Sequence, residues 1–433
     1  MTARSMENKK KPPTKILDYT GVPSLKHQAL LKVAVLLWNT ETILYEPWNS
    51  FDDIARRYLG KRSSLVEYCI NALPLPVLLK NELSRFNAGI YTEIFKWNEY
   101  QFDKYGLEII IPKPLCWNLS GTINYKKTAE LLIQDSRIDK FPRFFLACMY
   151  GLEDSIKELW RSLPRECRNT LLYSDFYFIF YWASSLTECD SEGLNEQEII
   201  RLFNEELLKS VFQTSIRMCD TPVSEYMFEK LRPEDKLILT YLFEETAKTI
   251  CESYPSHSKT KFVYPDVLCW LLHKLDEKER ERMFELHSFP VLLCYLEWPK
   301  QESFIPMTKC LLKFLSTKHF GYILKEIAFK MAYFEDFNYR KLIREFWQLG
   351  LEPHRKYAIG ASSCWCALYY LFMVGDVQSI RMIFSRANDT QKRCFSKSRW
   401  GNQIFKYLQY MGEKDLCDCF LKNCLPEKIS HSQ

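Results

Sequence analysis

The chain has 433 residues, with 59 basic against 54 acidic side chains, a formal charge of +5. Spread over that length, the excess is too small to demand a polyanionic partner. Hydrophobic residues make up 47% and aromatics 15%, but only 13 residues are glycine, under half the usual share of roughly 7%, which argues against hairpin-rich sandwiches, barrels and nucleotide-binding βα folds that need positive-φ turns.

Residues 1–20 place Lys9-Lys10-Lys11 ahead of Pro12-Pro13 and read as a disordered basic tail. The opening is basic but has no apolar core, so no secretory signal is expected. The 16 cysteines follow no spaced framework. They are expected as reduced thiols in a cytoplasmic protein, which leaves the sequons at Asn118 and Asn388 without an expected glycan. From Ser24, a possible cap, Leu25, Ala29, Val33 and Leu36-Leu37 recur at helical spacing. Further helices are expected over about 51–59, 64–72, 76–86 and 90–102, so 21–123 reads as an N-terminal helical module. The least helical stretch is 105–125, where Leu107–Ile111 has strand character that Pro112 and Pro114 end; a structured loop is predicted there.

From 124 to 425 helical segments follow one another, with 426–433 as a tail. The most apolar run, 170–186, carries Asp175 and several serines. It falls short of the roughly 18 uninterrupted apolar residues of a membrane span, so a buried helix is expected. Residues 144–160 (FFLACMYGLEDSIKELW) and 368–384 (LYYLFMVGDVQSIRMIF) share one spacing about Gly151 and Gly375. Ala147 matches Leu371, Ile156 matches Ile380, and Leu159-Trp160 matches Ile383-Phe384. A third copy centres on Gly412, with Leu408 before it and Leu416 and Cys419-Phe420 after. A looser copy spans 310–327. Each reads as a helix, a tight turn at a residue favouring left-handed backbone, and a second helix. Such a pair cannot bury its apolar seam alone, so neighbours must stack.

The pattern resembles the helical half of an ankyrin repeat. The Thr-Pro-Leu-His opening of that family is missing, and Gly375 to Gly412 is 37 residues where ankyrin repeats use about 33. The resemblance is to divergent ankyrin-like helical proteins, and it implies an all-α fold: an α-solenoid of ankyrin-like helix-turn-helix hairpins over 124–425. In such an array the hairpin tips, Glu153, Asp154, Asp376 and Gln378, would be available to partners.

Residues 50–83, SFDDIARRYLGKRSSLVEYCINALPLPVLLKNEL, are similar to a SOCS box, the short helical module that recruits elongins and a cullin. Ser50, Phe51, Ile54, Ala55, Arg56 and Leu59 stand in its first part; Leu73-Pro74-Leu75-Pro76, Leu79 and Leu83 stand in its second. Ala55 replaces the family's cysteine, Glu82 replaces its tyrosine, and the module precedes the repeats where the family places it after them. The resemblance implies partner contacts at Ile54, Leu59, Leu73, Pro74, Leu75, Pro76, Leu79 and Leu83. Two core helices joined by a proline turn would read the same way.

Chemistry-bearing motifs are sparse. Ala55 to Gly60-Lys61 echoes a phosphate loop, but the first glycine is missing and Arg62 takes the place of the metal-binding hydroxyl. Cys417, Cys419 and Cys424 lie close in sequence without a histidine at ligand spacing, as do Cys364 and Cys366. His287 and Cys294 could form a Cys–His pair. Residues 391–407 interleave Lys392, Arg393, Lys397, Arg399 and Lys406 with Phe395 and Trp400, a pattern that can bind single strands but reads here as core rings and a solvated face. The expected function is a non-enzymatic protein–protein interaction scaffold, with no cofactor and no membrane, and with nucleic acid not an expected partner. One alternative is a substrate receptor of a cullin-type ubiquitin ligase, recruiting elongins through 50–83. Another is a thiol-dependent enzyme.

Overall fold

The computed structural model describes residues 24–39, 53–105, 115–188, 196–218, 220–253, 265–412 and 414–424. The expected tails, the Leu107–Ile111 segment and its prolines, and Phe51 lie outside them. The described residues form 23 α-helices and no strand; Trp117 and Ile123 make a single antiparallel bridge. The chain divides into two compact units, one covering Val22–Arg280 and the other running from Glu281 to Gln433.

The first unit opens with α1 (Leu25–Trp38), α2 (Asp53–Ala72) and α3 (Val77–Tyr105), which pack on one another. Four helices were expected over 51–102, and the structure has two. Gly60 and the Asn87-Ala88-Gly89 step do not break them, because a glycine inside a helix costs only about 1 kcal/mol when tertiary packing covers the helix. Asn87, buried on α3, joins all three helices. It donates to Ser63 O (3.0 Å) and Glu67 Oε2 (3.2 Å) of α2 and accepts from Trp38 Nε1 of α1 (3.0 Å). After a turn closed by Asn118 N–H to Thr122 O, the unit continues with α4 (Tyr125–Gln134), α5 (Lys140–Met149), α6 (Glu153–Ser162) and α7 (Arg165–Leu171). It ends with α8 (Tyr177–Glu188), α9 (Glu196–Arg217), α10 (Thr221–Lys230), α11 (Leu239–Ser253) and α12 (Pro265–Lys274). The apolar run 170–186 is split: α7 ends at Leu171, and α8 carries its aromatics with Phe178, Ile179 and Trp182 buried. No helix among the described residues is long and apolar enough to cross a membrane.

At Gly151 the chain reverses through one left-handed residue, φ +61°. Leu152 N–H reaches Ala147 O (3.0 Å) and Gly151 N–H reaches Cys148 O (3.3 Å), the paired bonds of a glycine-terminated helix. The turn is held from outside by α10. Tyr226 lies against Gly151, its hydroxyl donates to Glu153 (2.9 Å), and Lys230 pairs with the same carboxylate (2.7 Å). A related reversal between α9 and α10 was not anticipated. Asp220 N–H bonds Ser215 O (2.8 Å).

In the second unit α13 (Glu277–Leu286) leads in, and then helices recur in order. They are α14 (Ser288–Cys294), α15 (Phe304–Leu311), α16 (Thr317–Tyr333), α17 (Tyr339–Leu349) and α18 (Glu352–Gly360), followed by α19 (Ser362–Met373), α20 (Val377–Phe384), α21 (Asp389–Lys397), α22 (Arg399–Met411) and α23 (Lys414–Cys424). Contacts run between corresponding members. Helix α14 packs on α16, α16 on α19 and α19 on α22; α15 packs on α17, α17 on α20 and α20 on α23; α18 packs on α21. Residues 310–327 are therefore not one hairpin. They join the end of α15 to the first half of α16, which turns back on α17.

The reversal at Gly375 repeats that at Gly151: φ is +66°, Asp376 N–H bonds Leu371 O (3.0 Å), and Gly375 N–H bonds Phe372 O (3.2 Å). Gly412, φ +65°, closes α22 with a single bond from its N–H to Leu408 O (3.1 Å). Aromatic rings fill the seams: Phe320 stacks on Phe346 at 4.5 Å, Phe372 meets Phe420 at 5.7 Å, and Phe384 meets Phe395 at 5.0 Å. Side-chain caps at Ser316, Asn338, Asp376, Asn388 and Ser398 start five of the helices. The sequon asparagine Asn388 is thus a helix cap.

Gly151 and Gly375 share a backbone conformation but differ in surroundings. A Cβ on Gly375 meets nothing, whereas one on Gly151 would enter the Tyr226 ring. Gly375→Ala should cost about 1–2 kcal/mol, the left-handed penalty alone. Gly151→Ala should cost a further ~1–3 kcal/mol for the overlap, and less of it once Tyr226 is also changed to Ala. Urea unfolding of Gly375→Ala, Gly151→Ala, Tyr226→Ala and the Gly151→Ala/Tyr226→Ala double checks the order.

Candidate docking surface

Helix α2 stops at Ala72 because Leu73 and Leu75 each precede a proline and are pushed towards extended backbone. Leu73 N–H still reaches Ile70 O (3.1 Å), and Leu75 N–H reaches Leu73 O (2.8 Å). Pro76 then supplies the carbonyl that receives Leu79 N–H (3.0 Å) and Lys80 N–H (3.1 Å) at the start of α3. The resulting elbow is tied from both sides. Lys80 Nζ donates to Asn71 O (2.7 Å), Ser84 Oγ to Glu67 (2.5 Å), and Lys26 pairs with Glu82 (2.7 Å).

Around this braced elbow large apolar side chains face water. Tyr68 is 75% exposed, Val77 71% and Leu78 77%, with Leu65 at half. Of the expected contact residues, Pro74 and Pro76 are exposed, while Leu73, Leu75 and Leu79 are half-buried. Leu83 has no exposed surface. It belongs to the core of the three-helix module and is withdrawn from the contact set. Ile54 and Leu59 fall within α2, but their side chains lie outside the described residues. Sequence reasoning missed Tyr68, Val77 and Leu78; their signal was the run Val77-Leu78-Leu79, of which one helix face can bury only part. Glu82, where the SOCS family has a tyrosine, is spent on the ion pair with Lys26.

The hairpin tips divide. Asp154 and Gln378 are exposed. Glu153 is half-buried, and the hydrogen bonds from Lys230 and Tyr226 hold its carboxyl below the usual range. Asp376 is 2% exposed and is not a contact residue: it accepts from Ser379 N–H (3.3 Å) and Ser379 Oγ (2.7 Å), and Arg344 of α17 pairs with it at 2.7 Å.

Residues 55–61 lie inside α2, so the phosphate-loop echo has no loop to work with. Fourteen of the sixteen cysteines are described, all as thiols. Burial pushes the Cys364 thiol up to about 12, and it raises those of Cys148 and Cys424 well above the ordinary value, the opposite of what a nucleophile needs. His287 caps the start of α14 and Cys294 ends it, about 10 Å apart by helical rise. His354 is buried, with Nε2 against Leu315 O (2.9 Å) and Nδ1 accepting from Leu351 N–H (3.3 Å), a packed core histidine. Among the described residues no three metal-ligating side chains gather.

No family model and no curated protein matches the chain.

If the elbow residues are surface and Leu83 is core, stability should separate them. Tyr68→Asp and Leu78→Asp should each shift stability by no more than about 0.5 kcal/mol, whereas Leu83→Ala should cost roughly 2–5 kcal/mol. Thermal unfolding followed by circular dichroism reads both.

Proposed function

We propose that this chain is a non-enzymatic protein–protein interaction scaffold built on an ankyrin-like helical repeat, working in the cytoplasm. The observation that carries this reading is the order of packing from α14 to α23, in which each helix lies on its counterpart one repeat further along. A globule built on one core has no reason to match first helices with first, second with second and third with third. A row does, because each repeat buries only its neighbours' seams. The repeat has three helices where ankyrin repeats have two. Short α18 and α21 occupy the place of the connecting hairpin loops, which accounts for the 37-residue spacing from Gly375 to Gly412. Rows of this kind work by exposing long surfaces rather than by enclosing a reactive pocket.

A second reading is supported by one observation of its own: the proline-framed elbow with exposed Tyr68, Val77 and Leu78. In this reading 50–83 recruits elongins, and through them a cullin, so that the scaffold is a ubiquitin-ligase substrate receptor. Partner grooves that take a helix read a small set of apolar knobs, and the braced elbow supplies such a set.

The row reading predicts local failure. Ile404 is fully buried on α22, and Ile404→Ala removes roughly 2–5 kcal/mol. Hydrogen exchange should then lose protection over 389–424 while 317–349 keeps its own. Uniform loss across 281–424 would mean one cooperative core and end the reading. The ligase reading predicts that the intact chain captures purified elongin B–C, with capture falling about tenfold or more in Val77→Asp with Leu78→Asp; an intact chain that captures none removes it and leaves the row untouched.

A further inference from the structure

Residues 391–407 mix cations and rings, and the fold sorts them. Phe395 and Ile404 go fully into the core, and Trp400 is half-buried with its Nε1 donating to Ser362 Oγ (3.3 Å). The cations stay outside. Arg393 and Lys397 are one turn apart on α21, and both are exposed. On α22, Arg399, Gln403, Lys406 and Tyr410 follow at i, i+4, i+7 and i+11, a single stripe along the helix. Arg399 and Lys406 are exposed, and Tyr410 is 88% exposed.

Three cations of this unit are held by carboxylates of other helices or turns: Lys330 by Glu297, Arg344 by Asp376, and Arg386 by Glu352. Arg393, Lys397, Arg399 and Lys406 have none among the described residues, and α22 carries no acidic residue at all. Four unneutralised cations beside an exposed tyrosine, on two helices joined at Ser398, form a face whose complement is negative.

We propose that the α21–α22 face docks an acidic, extended peptide segment of another protein. Carboxylates would pair with the guanidinium and ammonium groups, as arginine clusters pair with acidic motifs. Gln403 supplies an amide between Arg399 and Lys406, and Tyr410 a ring one turn beyond Lys406. Arg399 and Lys406 are separated by about 10 Å of helical rise, which extended chain spans in roughly three residues. Acidic side chains spaced in that way meet both cations.

The same face is poorly built for single-stranded nucleic acid, which needs successive open ring faces. Trp400 has the Arg399 guanidinium over its ring at 5.8 Å and Tyr369 beside it at 5.6 Å. Tyr369 in turn abuts Tyr370 at 5.7 Å. On the Arg399–Tyr410 stripe itself, Tyr410 is the one ring among the described residues, too few for successive bases.

The test uses the full chain and a fluorescein-labelled peptide of Glu-Glu-Phe repeats, with Gln-Gln-Phe repeats and oligo-dT as comparison probes, followed by anisotropy. The acidic peptide is expected to bind, to weaken as salt brings the screening length below about 8 Å, and to lose about tenfold or more in the R393E/K397E/R399E/K406E variant. The milder R399Q/K406Q variant, with unchanged thermal unfolding, should show part of the same loss and guards against misfolding of the reversed one. Equal binding of the uncharged peptide, no binding of the acidic one at low salt, or unchanged binding by a folded variant would overturn the proposal. Oligo-dT binding more tightly than the acidic peptide, through the same residues, would assign the face to nucleic acid instead.

Discussion

Reversal of the chain across a single left-handed residue is the constraint on which the paired helices depend. At Gly151 and Gly375 the φ angles are within a few degrees of each other, and the same two carbonyls of the last helical turn are bonded by the N–H groups that follow. A reversal that short leaves no slack. The second helix must run back beside the first, and the apolar residues on either side of the turn, Ala147 with Ile156 or Leu371 with Ile380, are brought to one seam. Helices of eight to thirteen residues have little stability of their own, so the seam has to be covered by the next pair. In the second unit α16 lies on α19 and α19 on α22, while α17 lies on α20 and α20 on α23.

The turns are also fastened sideways, and the chemistry differs from copy to copy. At Gly375 the fastening is ionic: Asp376 caps α20 and is held by Arg344. At Gly151 the ring of Tyr226 fills the space a Cβ would take, and its hydroxyl joins Lys230 on Glu153. At Asp220 the tyrosine hydroxyl of Tyr177 donates to the carboxylate. In all three an acidic residue just after the reversal is held by a side chain from another helix. The acidic group also suits the positive end of the helix it begins. Such a role explains why Asp376, polar and near a hairpin tip, is buried rather than offered to a partner.

Much of this was legible because it rests on spacing. The all-helical class followed from few glycines and helical periodicity, and three reversals were marked by Gly151, Gly375 and Gly412. What escaped has physical reasons. The reversal at Asp220 has no glycine beside it, so the spacing that marked the other turns was not there to read. Helix α21 was absorbed into a continuous helical reading because its boundaries are the caps Asn388 and Ser398 rather than prolines, and α18 because Pro353 at its start was not read as a boundary. Two breaks in the N-terminal module were expected and are absent: local propensity at Gly60 and Gly89 is overridden by packing around Asn87. At the elbow, Leu73 to Pro76 could be found by pattern. The division of Val77, Leu78 and Leu83 between water and core could not, since it depends on how α3 is rotated against α1 and α2.

The aromatic richness of the chain then has one cause with two outcomes. Where a helix has a neighbour on each side, rings interlock, as in the Phe320–Phe346 stack and the Phe384–Phe395–Phe420 group. Where a helix lacks a neighbour on one side, the same kind of residue stays in water, as Tyr68 does before the elbow and Tyr410 does on α22. The two exposed settings are chemically unlike. The elbow is apolar and framed by prolines, and two of its nearby cations are held, Lys26 by Glu82 and Lys80 by Asn71 O. The α22 face is cationic, and its charges are uncommitted. An apolar knob placed on the α22 stripe would strip water from lysine and arginine without replacing it, whereas on the elbow it would meet exposed apolar side chains.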